Sequence, residues 1–136
     1  DELVRRHFSM DGLQAALASS QAMATGADRM VRGQTLTGNQ FLTTSDGVYK
    51  LIMQSDGNLV LYKQGSQVVW YTNTFGNPGA YATFQADGNF VVYRANGVAV
   101  WHIATNGTAA SLLLLQPDGN LVMYGPSGQV YWHRLL

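Results

Sequence analysis

Five side chain types, Gln, Asp, Asn, Val and Tyr, recur at alternate positions, and the set occurs three times in a chain of 136 residues. The first set is Gln54, Asp56, Asn58, Val60 and Tyr62, within QSDGNLVLY. The second is Gln85, Asp87, Asn89, Val91 and Tyr93, within QADGNFVVY. The third is Gln116, Asp118, Asn120, Val122 and Tyr124, within QPDGNLVMY. This inventory suits an uncharged, hydroxyl-rich ligand such as a sugar. A hydroxyl both donates and accepts, a carboxylate only accepts, and an amide does both. An Asp beside an Asn can therefore grip one hydroxyl from two sides, and the charge-assisted bond is the stronger. Gln and Tyr can reach neighbouring hydroxyls, while Val can pack against the C–H edge of a ring. A few polar groups around a small apolar contact give small-ligand sites their specificity.

A plainer reading covers part of the pattern. Asp-Gly is explained by a turn, Val by strand propensity, and an outward Tyr is common in strands. Gln and Asn at fixed offsets in every copy are not explained this way, although duplication alone could preserve them. After residue 30 the chain has only four acidic residues, Asp46, Asp56, Asp87 and Asp118, and the last three share one motif position.

The elements that must hold these side chains follow from the repeat. Gln54, Gln85 and Gln116 are 31 residues apart, and so are Trp70, Trp101 and Trp132, which are all the tryptophans present. Two markers in phase over three copies, from about Gln34 to His133, define a repeat architecture. Each copy reads as β. An apolar run (YKLIM at 49–53, YATF at 81–84, SLLLL at 111–115) leads to an Asp-Gly turn, a strong hairpin signal. A second strand follows, then a turn with Gly65, Gly97 or Gly128, then a short strand ending in Trp. Turn signals every 8 to 12 residues predict a sandwich, barrel or prism. On an extended strand Leu59 and Leu61 face inward, and Asn58, Val60 and Tyr62 face outward. Three sheets closing about a pseudo-threefold axis would bury the inner faces, and one Trp from each copy would meet near that axis as core. GQTLTGNQFLTTSDG at 33–47 reads as opening strands that complete the first unit.

Composition narrows the function. Apolar content is 46% and charged content 12%, with eight Lys and Arg against eight Asp and Glu. Zero net charge argues against a nucleic-acid partner and against electrostatic docking on lipid. The absence of Cys excludes disulfide scaffolds, zinc fingers and thiol chemistry. No apolar run approaches the roughly 20 residues of a membrane-spanning helix. His102 and His133 each follow a Trp, where the first copy has Tyr71, so with His7 they predict neither a metal site nor acid–base chemistry. A glycosidase needs two carboxylates about 5 to 10 Å apart, and each motif offers one. No nucleophile or phosphate-loop pattern is present, and no cofactor is expected. Asn106-Gly107-Thr108 fits a glycosylation sequon. Residues 1–32 lack the period, and Met10, Leu13 and Leu17 have helical spacing, with Gly26 a possible stop. They read as an N-terminal helical extension, a linker or a remnant of another domain, and the first residue, Asp1, suggests a processed form or a fragment.

The triplicate Q-x-D-x-N-x-V-x-Y motif resembles that of the bulb-type (monocot) mannose-binding lectins, over about residues 33–136. WYTNT at 70–74 is also similar to that family's Trp-containing ends. The resemblance implies an all-β, β-prism II fold: three four-stranded antiparallel sheets, a Trp-lined centre and one mannose pocket per sheet. In that family the Asp and Asn hold the axial 2-hydroxyl, the Gln a neighbouring hydroxyl and the Tyr the 4-hydroxyl, and the Val contacts ring carbons. All fifteen positions carry the family's residue types, so three competent sites are expected. The chain departs from plant members in having Gly57 where a disulfide cysteine would fall, which hints at a bacterial or fungal member. The family also pairs subunits by exchanging C-terminal strands, which makes a homodimer through WHRLL at 132–136 conceivable. The expectation is a secreted, non-catalytic lectin for mannose-containing glycans, with three equivalent sites that gain avidity by engaging one glycan surface together, and with 33–136 as a B-lectin domain. The alternatives are the sugar-targeting module of a larger toxin, bacteriocin or hydrolase, and a structural prism with idle pockets.

Overall fold

The computed structural model describes residues 26–135. The expected N-terminal helix and His7 lie outside these residues. Three short strands come first: β1 (Arg29–Met30), β2 (Thr35–Leu36) and β3 (Phe41–Thr43). Nine more follow in groups of three: β4 (Tyr49–Met53), β5 (Leu59–Lys63), β6 (Gln67–Tyr71); β7 (Tyr81–Phe84), β8 (Phe90–Tyr93), β9 (Ala99–His102); β10 (Leu112–Leu115), β11 (Leu121–Tyr124), β12 (Val130–His133). Each group is one copy of the repeat. The three four-stranded sheets have the orders β3-β4-β5-β6, β2-β7-β8-β9 and β1-β10-β11-β12. Every pairing is antiparallel.

The fourth strand of each sheet departs from the sequence expectation. Segment 33–47 does not complete the first unit alone. Its β3 joins the first sheet, but β2 pairs with β7 in the second. The third sheet takes β1, which lies upstream of residue 33. The opening of the chain therefore ties all three sheets together before the first full repeat begins. β12 pairs with β11 of its own chain.

Alternation decides which side chains are buried. Leu59 and Leu61, Phe90 and Val92, and Leu121 and Met123 point inward and join one core cluster, with Met30, Leu36 and Leu42 from the first three strands. Val60, Val91 and Val122 stand between them on the opposite face and are outside that cluster. The last strand of each copy carries a bulge opposite the Tyr of the motif, between Leu61 and Tyr62, Val92 and Tyr93, and Met123 and Tyr124. A bulge puts one extra residue on one strand and breaks the alternation locally. Consecutive residues then pack against the core: Val69 with Trp70, Val100 with Trp101 and Tyr131 with Trp132. The three tryptophans meet edge to face, with ring centroids 5.7, 6.0 and 6.2 Å apart. Such aromatic pairs contribute roughly 0.5–1.5 kcal/mol each beyond their buried area.

Candidate functional site

Each motif is carried by the hairpin between the second and third strands of its sheet. The turn is closed by the Gly57 N–H donating to the Gln54 carbonyl (3.0 Å), and the Gln54 N–H donates to the Asn58 carbonyl (2.9 Å). Equivalent bonds close the turns at Gln85–Asn89 and Gln116–Asn120. The turn is longer than a two-residue hairpin. It ends on a glycine in the left-handed region, with φ of +93° at Gly57, +94° at Gly88 and +86° at Gly119. A turn followed by a left-handed glycine is a common longer hairpin connection. A side chain at Gly57 would also place its Cβ 2.3 Å from the Asn77 carbonyl oxygen.

Within the turn the Asp carboxylate organises the rest. One oxygen of Asp56, Asp87 and Asp118 accepts the backbone N–H two residues on, at 2.9 Å in every copy. Gln54 Nε2 lies 3.1 and 3.2 Å from the two Asp56 oxygens. Gln85 stands at the same distances from Asp87, and Gln116 at 3.3 Å from both oxygens of Asp118. The phenols of Tyr62, Tyr93 and Tyr124 donate to Oε1 of the Gln in their own copy. Tyr, Gln and Asp thus form one relay on the outer face, repeated three times. The Asp side chains are exposed, and the Gln and Tyr side chains are half-buried.

The Asn completes the relay from the far side. Its Oδ1 accepts a backbone N–H from beyond the Trp strand: Thr74 at 3.1 Å, Thr105 at 3.2 Å and Leu135 at 3.2 Å. With the oxygen already accepting from the backbone, Nδ2 is the donor this amide can turn to a ligand. In two copies a threonine also braces the turn, Thr74 donating to the Gly57 carbonyl and Thr105 to that of Gly88, both at 2.6 Å. The third copy uses Arg134 Nε on the Gly119 carbonyl at 2.8 Å. These braces were not singled out in the sequence, although Thr74 and Thr105 share the 31-residue period. Arg32 was missed as well. It donates to the carbonyls of Ala86, Thr108 and Ala110 and so ties the back of the second turn.

Two motif side chains, one in the second copy and one in the third, have shifted pKa values. The Asn89 N–H, the Gln85 amide and the charge of Arg32 hold the Asp87 carboxyl below its ordinary range. Burial, and then the charge of Asp118, push the Tyr124 phenol up, which keeps it a donor. A cleft of about 470 Å³ opens over the first site, lined by Gln54, Asp56 and Tyr62 together with Asn39, Lys50 and Ser66. All fifteen motif residues therefore gather in three groups, one per sheet. One expectation is modified: Val60, Val91 and Val122 face outward as the alternation requires, yet each is only 3% exposed. Each lies between flanking strands, Val60 for example between Ile52 and Tyr71, so it forms a recessed floor. Among the described residues no three His, Cys, Asp or Glu side chains cluster as metal ligands would. None of the helices sought among them is long and apolar enough to cross a membrane.

No protein-family model matches the chain, and no curated protein matches it. Solved structures do. A monomeric monocot mannose-binding lectin from Gastrodia elata is 36% identical, with a TM-score of 0.71, over 79% of this chain and 96% of that one. The mannose-specific agglutinin from snowdrop (Galanthus nivalis) bulbs, in complex with methyl α-D-mannoside, is 37% identical, with a TM-score of 0.66, over 72% of this chain and 89% of that one. A lectin from Marasmius oreades is 31% identical, with a TM-score of 0.76, over 84% of this chain and 95% of that one.

Proposed function

This chain belongs to the bulb-type mannose-binding lectin family, and from that premise we propose that it binds mannose-containing glycans through the three Gln-Asp-Asn-Val-Tyr clusters, without catalysis. The observation that carries the reading is the hydrogen-bond relay, in which Tyr, Gln and Asp are joined in the same order in every copy. Asp offers lone pairs only. Asn offers N–H, its oxygen already accepting from the backbone. A sugar hydroxyl set between them donates to the carboxylate and accepts from the amide, using both of its functions. The Tyr oxygen, having donated to Gln, accepts from a second hydroxyl, and the remaining Gln N–H reaches a third. The Val floor meets the C–H face of the ring. The snowdrop agglutinin was solved with methyl α-D-mannoside, which supports mannose as the hexose. Each cluster holds a single carboxylate, so the paired acids of a glycosidase are missing.

A glycan array with the triple variant Asp56→Asn, Asp87→Asn, Asp118→Asn tests the reading. The amide is isosteric and still offers an oxygen to the turn N–H, so the fold is kept. Hydrogen bonds to charged groups contribute about 1.5–3 kcal/mol, so each site should weaken roughly 10- to 100-fold and the high-mannose signal should vanish. An unchanged signal would refute it.

A further inference from the structure

The three clusters are not identical in one bond. In the second, Asn89 Nδ2 lies 3.0 Å from Nδ1 of His102. The assignment of the amide is fixed by chemistry: Asn89 Oδ1 accepts the N–H groups of Phe90 (3.0 Å) and Thr105 (3.2 Å), so the nitrogen must face the imidazole. His102 Nδ1 is then the acceptor, and the ring carries its proton on Nε2. Among the described residues neither Asn58 Nδ2 nor Asn120 Nδ2 has a hydrogen-bond partner. Burial follows the same division. Asn89 is 7% exposed, whereas Asn58 and Asn120 are half-buried. His102 stands opposite Val91 in the register, where the first copy has Tyr71 opposite Val60. His133 holds that place in the third copy and makes no bond to Asn120.

We propose that His102 sets the affinity of the second site, holding it weak by engaging the Asn89 amide that a sugar hydroxyl must use. This rests on the mannose reading above and adds that the three sites of one chain are unequal. His102 acts through Asn89 and is a positioning residue. A ligand at the second site must give up the Asn89–His102 bond or share the nitrogen with it. The first and third sites carry no such competitor.

Single-site proteins separate the contributions. Asp56→Asn with Asp118→Asn leaves the second site, and Asp87→Asn with Asp118→Asn leaves the first. Calorimetry with methyl α-mannoside should give about five-fold weaker binding at the second site than at the first, the order of one neutral hydrogen bond. His102→Tyr, which restores the residue type of the first copy, should close that gap. The gain should disappear when Asn89→Ala is added, which a purely structural role for His102 would not produce. Equal affinities at the two sites, or a gap that survives His102→Tyr, would overturn the proposal. The ¹⁵N spectrum of the imidazole reads the bond without any ligand. It should show His102 as the Nε2–H tautomer, and an Nδ1–H ring would overturn the proposal by itself. Failure of the first site to bind methyl mannoside would instead overturn the mannose reading.

Discussion

At the scale of single residues, the proposed function rests on which lone pairs and protons the fold leaves unused. Motif chemistry was legible in the sequence because donor and acceptor capacity belongs to residue type. What spacing did not reveal was occupancy: that every Asn oxygen is taken by an N–H from beyond the Trp strand, or that Asn89 also meets His102. Those partners come from 13 to 16 residues away in sequence. Asp87 gives the pH dependence. Its pKa is lowered in the folded chain, chiefly by the Asn89 N–H. A carboxylate with a depressed folded pKa contributes fully above its unfolded value and loses that contribution as pH falls through the folded one. Mannoside binding at the second site is therefore expected to fall at a lower pH than an unshifted Asp would give. Carboxyl NMR should place the Asp87 midpoint below the usual 3.8; a midpoint at or above 3.8 would contradict this.

At the scale of elements, the hairpins and the Trp strands were readable from alternation and turn residues, since YKLIM, YATF and LLLL each became a strand. The fate of the first three strands was not. β1 and β2 have two residues each, too few to show a period, and their partners lie 46 to 85 residues away. The turn glycines carry an element-scale prediction. Gly57 has φ +93° and would drive a Cβ to 2.3 Å from backbone oxygen at Asn77, whereas Gly65, with φ +82°, faces open space. Left-handed strain alone costs an L-residue roughly 1–2 kcal/mol, and forcing atoms into packed backbone adds roughly 1–3 kcal/mol. Gly57→Ala should thus lose about 3 kcal/mol in chemical denaturation and Gly65→Ala about 1 kcal/mol. Equal losses would show that the close approach to Asn77 is not what holds the motif turn.

At the scale of the whole molecule, the three sheets enclose the Trp70, Trp101 and Trp132 contact and turn their outer faces away from one another. Phase-locked tryptophans made this axis legible in the sequence. In the proposed reading the same geometry sets how the three sites engage a partner. Avidity requires that sites engage together, and it is lost where geometry forbids this. Under that proposal, sites on three different sheets are suited to bridging separate glycan surfaces more than to gripping a single flat one. The intact chain, isolated as a monomer, should clump mannan-coated beads, and a single-site variant should coat them without clumping. Coating without clumping by the intact chain would contradict the threefold arrangement of working sites.

The most direct test of the whole account is a crystal structure with methyl α-mannoside at saturating concentration. The sugar should lie over Val60, Val91 and Val122, with one hydroxyl between the Asp carboxylate and Asn Nδ2 of each cluster and a second at the Tyr oxygen. A hexose seated elsewhere on the prism, or clusters left empty at saturation, would contradict it.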